Sequence, residues 1–329
     1  MIETDIKIKE DDSRALIKLL DAIKKKSAQE IRSIEFQGEK FLYPPQSRDP
    51  HYKLKRLDRN RLEICEILLM EKDIEIPDSL DGRKIAGIGK NACRNNKKLV
   101  SLTIPDSLQY IEEGAFENCV NLRNISLGKN IQIIGARDKI YQDGYKDSSG
   151  LTLGAFENCA IENIELPETL ENLGENTFRG CEKLQSVNIP KKVKKIGKYC
   201  FYGCSNLERV SFSEGLTEIE NGAFYECKAL RSVYMPKELK KICDFAFQRC
   251  TNLTNVKLNF GLKTLGLSVF RECEKLREIH LPETLIHIRT GTFDIVKKHI
   301  PKIKCKKNSY AWEYATTNGF ETETDILDL

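Results

Sequence analysis

A phenylalanine recurs every 23 residues from Phe178 onward, and this period constrains the fold more than any other feature of the sequence. A cysteine stands three residues after seven of the eight column phenylalanines, so two independent columns keep the same spacing. A fixed period of this length is typical of a repeat array. The two columns are Phe116, Phe156, Phe178, Phe201, Phe224, Phe247, Phe270 and Phe293, and Cys119, Cys159, Cys181, Cys204, Cys227, Cys250 and Cys273.

Two short apolar patterns complete each repeat. The first, L-x-x-I-x-L, opens three residues after most of the column cysteines, as at 230–235, and predicts a strand. A proline often follows it, and proline marks where a strand leaves a sheet because it cannot donate to the ladder. The second, L-x-x-I-G, leads back to the next Phe. Counted by its first residue, the chain has nine units, which begin at Ile85, Leu108, Ile131, Leu170, Val193, Leu216, Leu239, Leu262 and Leu285.

A single unit of this size cannot bury its own apolar residues, so successive units must stack on one another. Stacking places the Phe and Cys columns in the core as ladders. The strands of successive coils then run parallel at a spacing of about 4.8 Å, in a curved sheet of roughly ten strands. The predicted fold is a repeat solenoid with a parallel β-sheet on its concave face and short or irregular strands on its convex face.

The full pattern, L-x-x-I-x-L-P-x-x-L-x-x-I-G-x-x-A-F-x-x-C, resembles the BspA-like leucine-rich repeats over roughly Leu57 to Phe320. The lead-in at 74–85 is similar to that family's entry, and 309–319 is similar to its C-terminal cap helix, with Gly319 as the stop. The resemblance implies a right-handed leucine-rich-repeat superhelix, rich in β-structure, and a non-enzymatic surface for protein contact. In bacterial members it implies adhesion to host or partner-cell proteins.

Three segments are expected: a small α/β piece at 1–56, the solenoid at 57–305 and a C-terminal cap at 306–329. In the first, the isoleucines at 2, 6 and 8 predict a strand, Asp12 and Ser13 would cap a helix that runs to Ile23, and 31–36 predicts a second strand. A β-α-β cap over the open end of the solenoid is one interpretation of this piece. A separate partner-binding domain is the other.

The chain carries none of the motifs that would predict catalysis or the binding of a metal or nucleotide. Its twelve cysteines follow the repeat and are interpreted as buried thiols that act as small apolar residues. Its four histidines lack metal-ligand spacing, and no nucleotide-binding loop or nucleophile motif occurs. We therefore predict no catalytic residues, no metal, no cofactor and no enzymatic activity.

Charge and hydropathy narrow the class of partner. Lys and Arg number 53 against 49 Asp and Glu, and the resulting net charge of +4 gives little attraction to nucleic acid. The lysine run at 191–198 is interpreted as a solvated edge. No stretch approaches the roughly 18 apolar residues of a membrane span, so no membrane insertion is expected. A monomer is predicted, cytoplasmic as the chain stands, or at the cell surface or secreted if a leader was removed.

Two surfaces are candidates for binding a protein partner of unknown identity. Strand alternation turns the third and fifth residues of L-x-x-I-x-L toward the concave side, where the late coils carry the larger side chains. The second surface is a polar insertion at 136–152, where the step between column phenylalanines is 40. A structural scaffold or spacer, or a glycan-binding module, are the alternative functions. The candidates are Arg231, Tyr234, Lys257, Arg277 and His280 on the late coils, and Arg137, Tyr141 and Tyr145 in the insertion.

Overall fold

The computed structural model is a parallel β-solenoid, and it describes residues 4–8, 31–36, 39–42, 50–136, 152–293 and 300–324. Two columns of strands run along it, one from each apolar pattern of the repeat. The first column comprises β6 (Asp73–Glu75), β9 (Ser101–Thr103), β11 (Asn124–Ser126), β14 (Ser186–Asn188), β16 (Arg209–Ser211), β18 (Ser232–Tyr234), β20 (Asn255–Lys257), β22 (Glu278–His280), β24 (Lys302–Lys304) and β25 (Thr322–Glu323). The second comprises β5 (Arg61–Ile67), β8 (Arg83–Ile88), β10 (Tyr110–Ile111), β12 (Ile133–Ile134), β13 (Asn172–Leu173), β15 (Lys195–Ile196), β17 (Glu218–Ile219), β19 (Lys241–Ile242), β21 (Thr264–Leu265) and β23 (His287–Ile288).

The second column forms one sheet, in which β8 to β23 coincide with the nine predicted units. Most of its strands are only two residues long, as expected for the face opposite the main strands. Its N-terminal end is closed by β4 (Tyr52–Arg56), which pairs antiparallel with β5, and β7 (Ser79–Leu80) pairs antiparallel with β8. Strand β4 thus belongs to this sheet although it precedes the domain boundary predicted at residue 57.

The first column departs from the continuous sheet that we predicted. Its ten strands form two sheets, β11-β9-β6 and β14 to β25. In the coil between them Asn163 forms a bridge to Ser186 of β14, and the described residues show no pairing of that coil with β11. The turn before the interrupted coil is one residue short, because Ile161 follows Cys159 by two residues whereas Leu184 follows Cys181 by three. The ladder breaks between β11 and this coil, although its third-position residue Asn163 bridges to the third-position residue Ser186 in the regular register.

The phenylalanine column forms the centre of the core. All eight side chains are fully or almost fully buried. Neighbouring rings stack with centroids 5.1 to 5.7 Å apart and interplanar angles of 4 to 14°. Stacked aromatic pairs stabilise a core beyond the area they bury. Each Phe therefore couples the coil that carries it to the coils on both sides.

The cysteine column forms a second ladder beside the rings. All twelve cysteines are free thiols, and only Cys65 is not buried. From Cys159 to Cys273 each column Sγ donates a hydrogen bond of 3.1 to 3.2 Å to the carbonyl oxygen of the Phe of the preceding coil. A thiol is a weak donor, so each bond adds little alone. The column nevertheless contributes one inter-coil hydrogen bond per repeat, which the interpretation as apolar residues did not include.

These thiols are expected to react slowly in the folded protein. Burial raises the pKa of Cys181 to about 12, and burial together with the Glu63 carboxylate raises the pKa of Cys65 to about 11. Because the thiolate is the reactive species, a maleimide at pH 7 should modify Cys65 first, leave the column unmodified, and reach all twelve cysteines only in denaturant. Mass spectrometry of timed samples measures this. Rapid labelling of the column from Cys119 to Cys273 in folded protein would exclude the ladder.

The C-terminal end of the solenoid is covered by helix α1 (Tyr310–Thr317). The hydroxyl of Ser309 caps it by accepting a hydrogen bond from the backbone N–H of Trp312 at 3.2 Å. Its alanines at 311 and 315 are buried, and the chain turns through Gly319 at a φ of 75°. The rings of Tyr314 and Phe320 then lie 6.5 and 5.9 Å from that of Phe293, so they contact the last ring of the Phe ladder.

A separate three-stranded sheet lies at the N-terminal end of the sequence. Strand β1 (Thr4–Ile8) runs parallel to β2 (Ile31–Phe36), which pairs antiparallel with β3 (Glu39–Leu42). The two predicted strands are therefore present, and β3 was not predicted. The helix predicted from Asp12 to Ile23 lies outside the described residues. That this piece covers the solenoid, and the segment bounds 1–56, 57–305 and 306–329, remain predictions.

Candidate functional site

The third and fifth residues of the first strand column form one continuous surface, which we call the strand face. In each regular strand the middle residue points into the core, as Val233 does, while its neighbour Tyr234 is 56% exposed. None of the sixteen strand-face residues is buried. They are Ser101, Thr103, Asn124, Ser126, Asn163, Glu165, Ser186, Asn188, Arg209, Ser211, Ser232, Tyr234, Asn255, Lys257, Glu278 and His280.

The late coils bring three of the predicted ligand residues side by side on this face. Tyr234 is the register partner of Lys257, and Lys257 is the register partner of His280. Since neighbouring strands are about 4.8 Å apart, the two outer residues lie on the order of 10 Å from each other. The amide of Asn255 donates to the Tyr234 hydroxyl at 3.5 Å, which holds the phenol toward the next strand.

Phe260 extends this group, and sequence reasoning missed it. Its ring is 54% exposed and lies edge-on to that of His280, with centroids 6.2 Å apart. Phe260 occupies the loop position that Lys191 and Lys237 occupy in two earlier coils, where that position directly follows the proline. Comparing that loop column coil by coil, as was done for the strand columns, would have revealed an aromatic residue in a position otherwise occupied by charge.

The remaining predicted residues, Arg231 and Arg277, directly precede strands β18 and β22, and both are exposed. The Arg277 guanidinium approaches the backbone oxygen of Glu274 at 3.5 Å. Within the described residues neither arginine has a carboxylate in ion-pair range. The structure therefore places all five predicted residues in one region, which we call the late patch and define as Arg231, Tyr234, Lys257, Phe260, Arg277 and His280.

The second predicted site lies outside the described residues, so Arg137, Tyr141 and Tyr145 remain a prediction. The structure does describe the two ends of that insertion. The amide of Asn172 donates to the carbonyl oxygen of Ala136 at 3.1 Å, and the amide of Asn176 donates to that of Thr152 at 2.6 Å. Both ends are thus anchored to the following coil.

Three lysines of the run, Lys192, Lys195 and Lys198, are paired with acids on neighbouring coils. Glu218 lies between Lys195 and Lys241, whose Nζ atoms are 2.6 and 3.0 Å from its carboxylate oxygens. Burial raises the pKa of Glu218, but the hydrogen bonds from the two lysines outweigh it and lower the pKa to about 2. Lys198 and Glu175 form a similar pair at 3.1 Å. Such pairing supports a solvated edge and not a continuous cationic track.

The described residues show little of the geometry that catalysis or metal binding requires. Among them, no group of three or more His, Cys, Asp or Glu side chains converges as metal ligands. The two best-formed clefts have volumes of about 330 and 300 Å³ and are open and lined mainly by polar side chains. The second lies at the sheet interruption, beside Asn124 and Asn163. None of the helices in the described ranges is long and apolar enough to cross a bilayer.

Comparison with solved structures finds bacterial proteins of low sequence identity. A T. pallidum leucine rich repeat protein is 22% identical, with a TM-score of 0.49 over 69% of this chain and 88% of that one. A leucine rich cell surface protein from Faecalibacterium prausnitzii is 20% identical, with a TM-score of 0.35 over 85% and 94%. The pneumococcal vaccine antigen PcpA is 17% identical, with a TM-score of 0.32 over 84% and 97%. No curated protein matches the chain.

The family comparison is more informative. The description "BspA type Leucine rich repeat region" matches six copies, at residues 72–138, 150–258 and 217–318. These ranges cover well over half of the chain and coincide with the coils whose Phe, Cys and Leu columns form the core. The predicted family and the predicted solenoid fold are thereby confirmed, and the chain belongs to the BspA-type leucine-rich-repeat family.

Proposed function

We propose that this chain is a non-enzymatic protein-binding module that contacts its partner through the late patch. One observation carries the proposal: the late coils gather two exposed aromatic rings, a histidine and three cations on a face that elsewhere presents mostly small polar or acidic side chains. Interface energy concentrates in a few aromatic and arginine side chains, and such groups are enriched at protein contacts.

The backbone beneath the late patch favours this use. Strands β18, β20 and β22 are hydrogen-bonded in register, and the residues between the exposed ones are buried, as Val233, Val256 and Ile279 are. A surface already held by the core loses little conformational entropy when a partner binds. Adhesion to another cell's proteins is a narrower form of the same function, which the family resemblance supports.

Affinity capture with matched variants tests the proposal. The wild-type chain is immobilised beside a late-patch variant, Tyr234→Ser, Lys257→Ser and His280→Ser, and an early-face control, Ser126→Ala, Asn188→Ala and Ser211→Ala. Because all six side chains lie on the strand face, circular dichroism and melting of both variants should match wild type. A protein retained by wild type and by the control should bind the late-patch variant about 100-fold more weakly, about 3 kcal/mol.

A loop variant, Arg137→Ser, Tyr141→Ser and Tyr145→Ser, tests the competing surface in the same assay. Loss of binding in this variant with an unaffected late-patch variant would move the site to the insertion. Failure to retain any protein, together with self-association in sedimentation across a concentration series, would favour the scaffold. Retention of oligosaccharides on a glycan array, abolished in the late-patch variant, would favour the glycan-binding module.

A further inference from the structure

The charge at the second, third and fifth positions of the first strand column changes sign along the solenoid. The five late coils, β18 to β25, carry five cations and three acids at their second, third and fifth positions, which are Arg231, Lys257, Arg277, Lys302, Lys304, Glu278, Glu321 and Glu323. The six earlier coils, from β6 to β16, carry three cations and five acids at the same positions, which are Lys72, Arg123, Arg209, Asp73, Glu75, Glu162, Glu165 and Glu208. The repeat geometry does not require this division, because the same three positions recur in every coil and the fold does not fix which residue types they carry.

Two of the late cations are neutralised within the chain, and three are not. Lys302 contacts the carboxylates of Glu321 and Glu323 at 3.1 and 3.2 Å, and Lys304 contacts that of Glu278 at 2.9 Å. Within the described ranges no carboxylate lies within 4 Å of the side-chain nitrogens of the remaining three, Arg231, Lys257 and Arg277. These three cations belong to the coils that also carry the exposed rings of Tyr234 and Phe260.

We propose that the late patch receives an acidic segment of a partner polypeptide that also carries an aromatic or aliphatic side chain. The inference rests on the proposed function and names the chemistry of the partner. Carboxylates of the segment would pair with Arg231, Lys257 and Arg277, with the fork of each guanidinium suited to bidentate contact. Its apolar side chain would cover the rings of Tyr234 and Phe260, which are 56 and 54% exposed.

Two other occupants fit the patch less well. The acidic early face of a second copy would supply carboxylates, but no large apolar side chain is exposed at the second, third or fifth positions of its described coils. A nucleic acid would be attracted by the three cations, but the acids Asp73, Glu75, Glu162, Glu165 and Glu208 along the same face would repel a strand that extended beyond the late coils.

The probe is a fluorescein-labelled peptide of alternating glutamate and phenylalanine, compared with peptides that carry glutamine or lysine in place of glutamate. Fluorescence anisotropy with the full chain should give affinities for the glutamate peptide at least 10-fold tighter than for the other two. Raising the salt from 50 to 500 mM should weaken only the glutamate peptide, because salt screens exposed charges.

Charge reversal locates the site. The variant Arg231→Glu, Lys257→Glu and Arg277→Glu should bind the glutamate peptide at least 10-fold more weakly and should now prefer the lysine peptide. Its matched control, Lys72→Glu, Arg123→Glu and Arg209→Glu, reverses three cations at second and third positions of the early coils and should bind as wild type does. Circular dichroism melts of both variants should coincide with wild type, since all six side chains are exposed or lie at the surface.

Four outcomes would overturn the inference. Two of them are equal binding of the glutamate and glutamine peptides and equal weakening of binding by the two reversal variants. An oligothymidylate that binds more tightly than the glutamate peptide would favour a nucleic acid. Self-association of the free chain that the late reversal abolishes would favour a second copy. If affinity capture still retains a protein through the late patch in any of these cases, the proposed function stands and only the chemistry of the partner is wrong. If capture retains none, the proposed function itself fails.

Discussion

Replacing Phe224 with alanine is expected to lower the free energy of unfolding by about 3 to 5 kcal/mol, as for a large aromatic residue removed from a packed core. Its ring is fully buried and stacks on those of Phe201 and Phe247 at 5.2 and 5.1 Å, and Phe212 lies edge-on to it at 5.8 Å. The cavity would therefore remove contacts from three coils at once. Because each coil is stable only against its neighbours, the loss should spread beyond its own repeat.

Urea unfolding followed by circular dichroism measures the size of this effect, and native-state hydrogen exchange shows how far it spreads. Amides of the coils around residues 201–247 should lose protection together. The matched control is Phe260→Ala, because Phe260 is also a phenylalanine but is 54% exposed, and it should change stability by less than about 1 kcal/mol. A Phe224→Ala variant that unfolds like wild type would show that this column does not form the core.

Opening the C-terminal cap should have the second largest effect. The rings of Tyr314 and Phe320 stack on each other at 5.9 Å and both contact Phe293, the last ring of the ladder. The double variant Tyr314→Ser and Phe320→Ser should lower the free energy of unfolding by about 2 to 4 kcal/mol. Removing two fully buried rings would lower it more, but both residues are half-buried. It should also expose Phe293, and a newly exposed apolar end promotes association between molecules.

Thermal melting and size-exclusion chromatography across a concentration series measure both consequences. The double variant should melt lower than wild type and should elute earlier as its concentration rises. Its control, Lys307→Ser and Thr317→Ser, changes two exposed residues of the same segment and should behave as wild type does. A double variant that stays monomeric and melts normally would mean that the helix does not protect the end of the core.

The core of the solenoid could be predicted from the sequence because each buried column repeats its chemistry. Phe178, Cys181 and Leu184 recur with the same spacing in later coils, and a residue type that must fit the same space in each coil leaves a visible period. Strand alternation then placed Tyr234, Lys257 and His280 on the surface. The same logic predicted a β-strand around Ile6, although it did not predict β3.

Three features escaped this reasoning, two because they depart from the period and one because residue types do not encode it. The interruption of the first sheet coincides with the missing residue between Cys159 and Ile161, and it depends on backbone hydrogen bonds, which residue types do not encode. The hydrogen bonds of the thiols depend on the orientation of each Sγ toward the preceding coil. Phe260 replaces a charged residue in a loop column, so the pattern that defines the repeat passes over it.

The charge division of the first strand column was also missed, although every residue in it is visible in the sequence. The net charge of +4 averages acidic early coils with basic late coils, and the average conceals both. The order of the fifth-position column already places Lys257 between Tyr234 and His280, but only the ion pairs show that Lys302 and Lys304 are neutralised. The net charge of the whole chain therefore did not reveal the basic surface of the late coils.

The central claim, that the late patch contacts a protein partner, is tested most directly by photo-cross-linking. A benzophenone analogue of phenylalanine is placed singly at position 234 on the late patch, at 126 on the early strand face, and at 141 in the insertion, and each chain is irradiated with the same cell extract. The account predicts one cross-linked protein at position 234 and none at 126. Cross-links at 141 or 126 with none at 234 would contradict it.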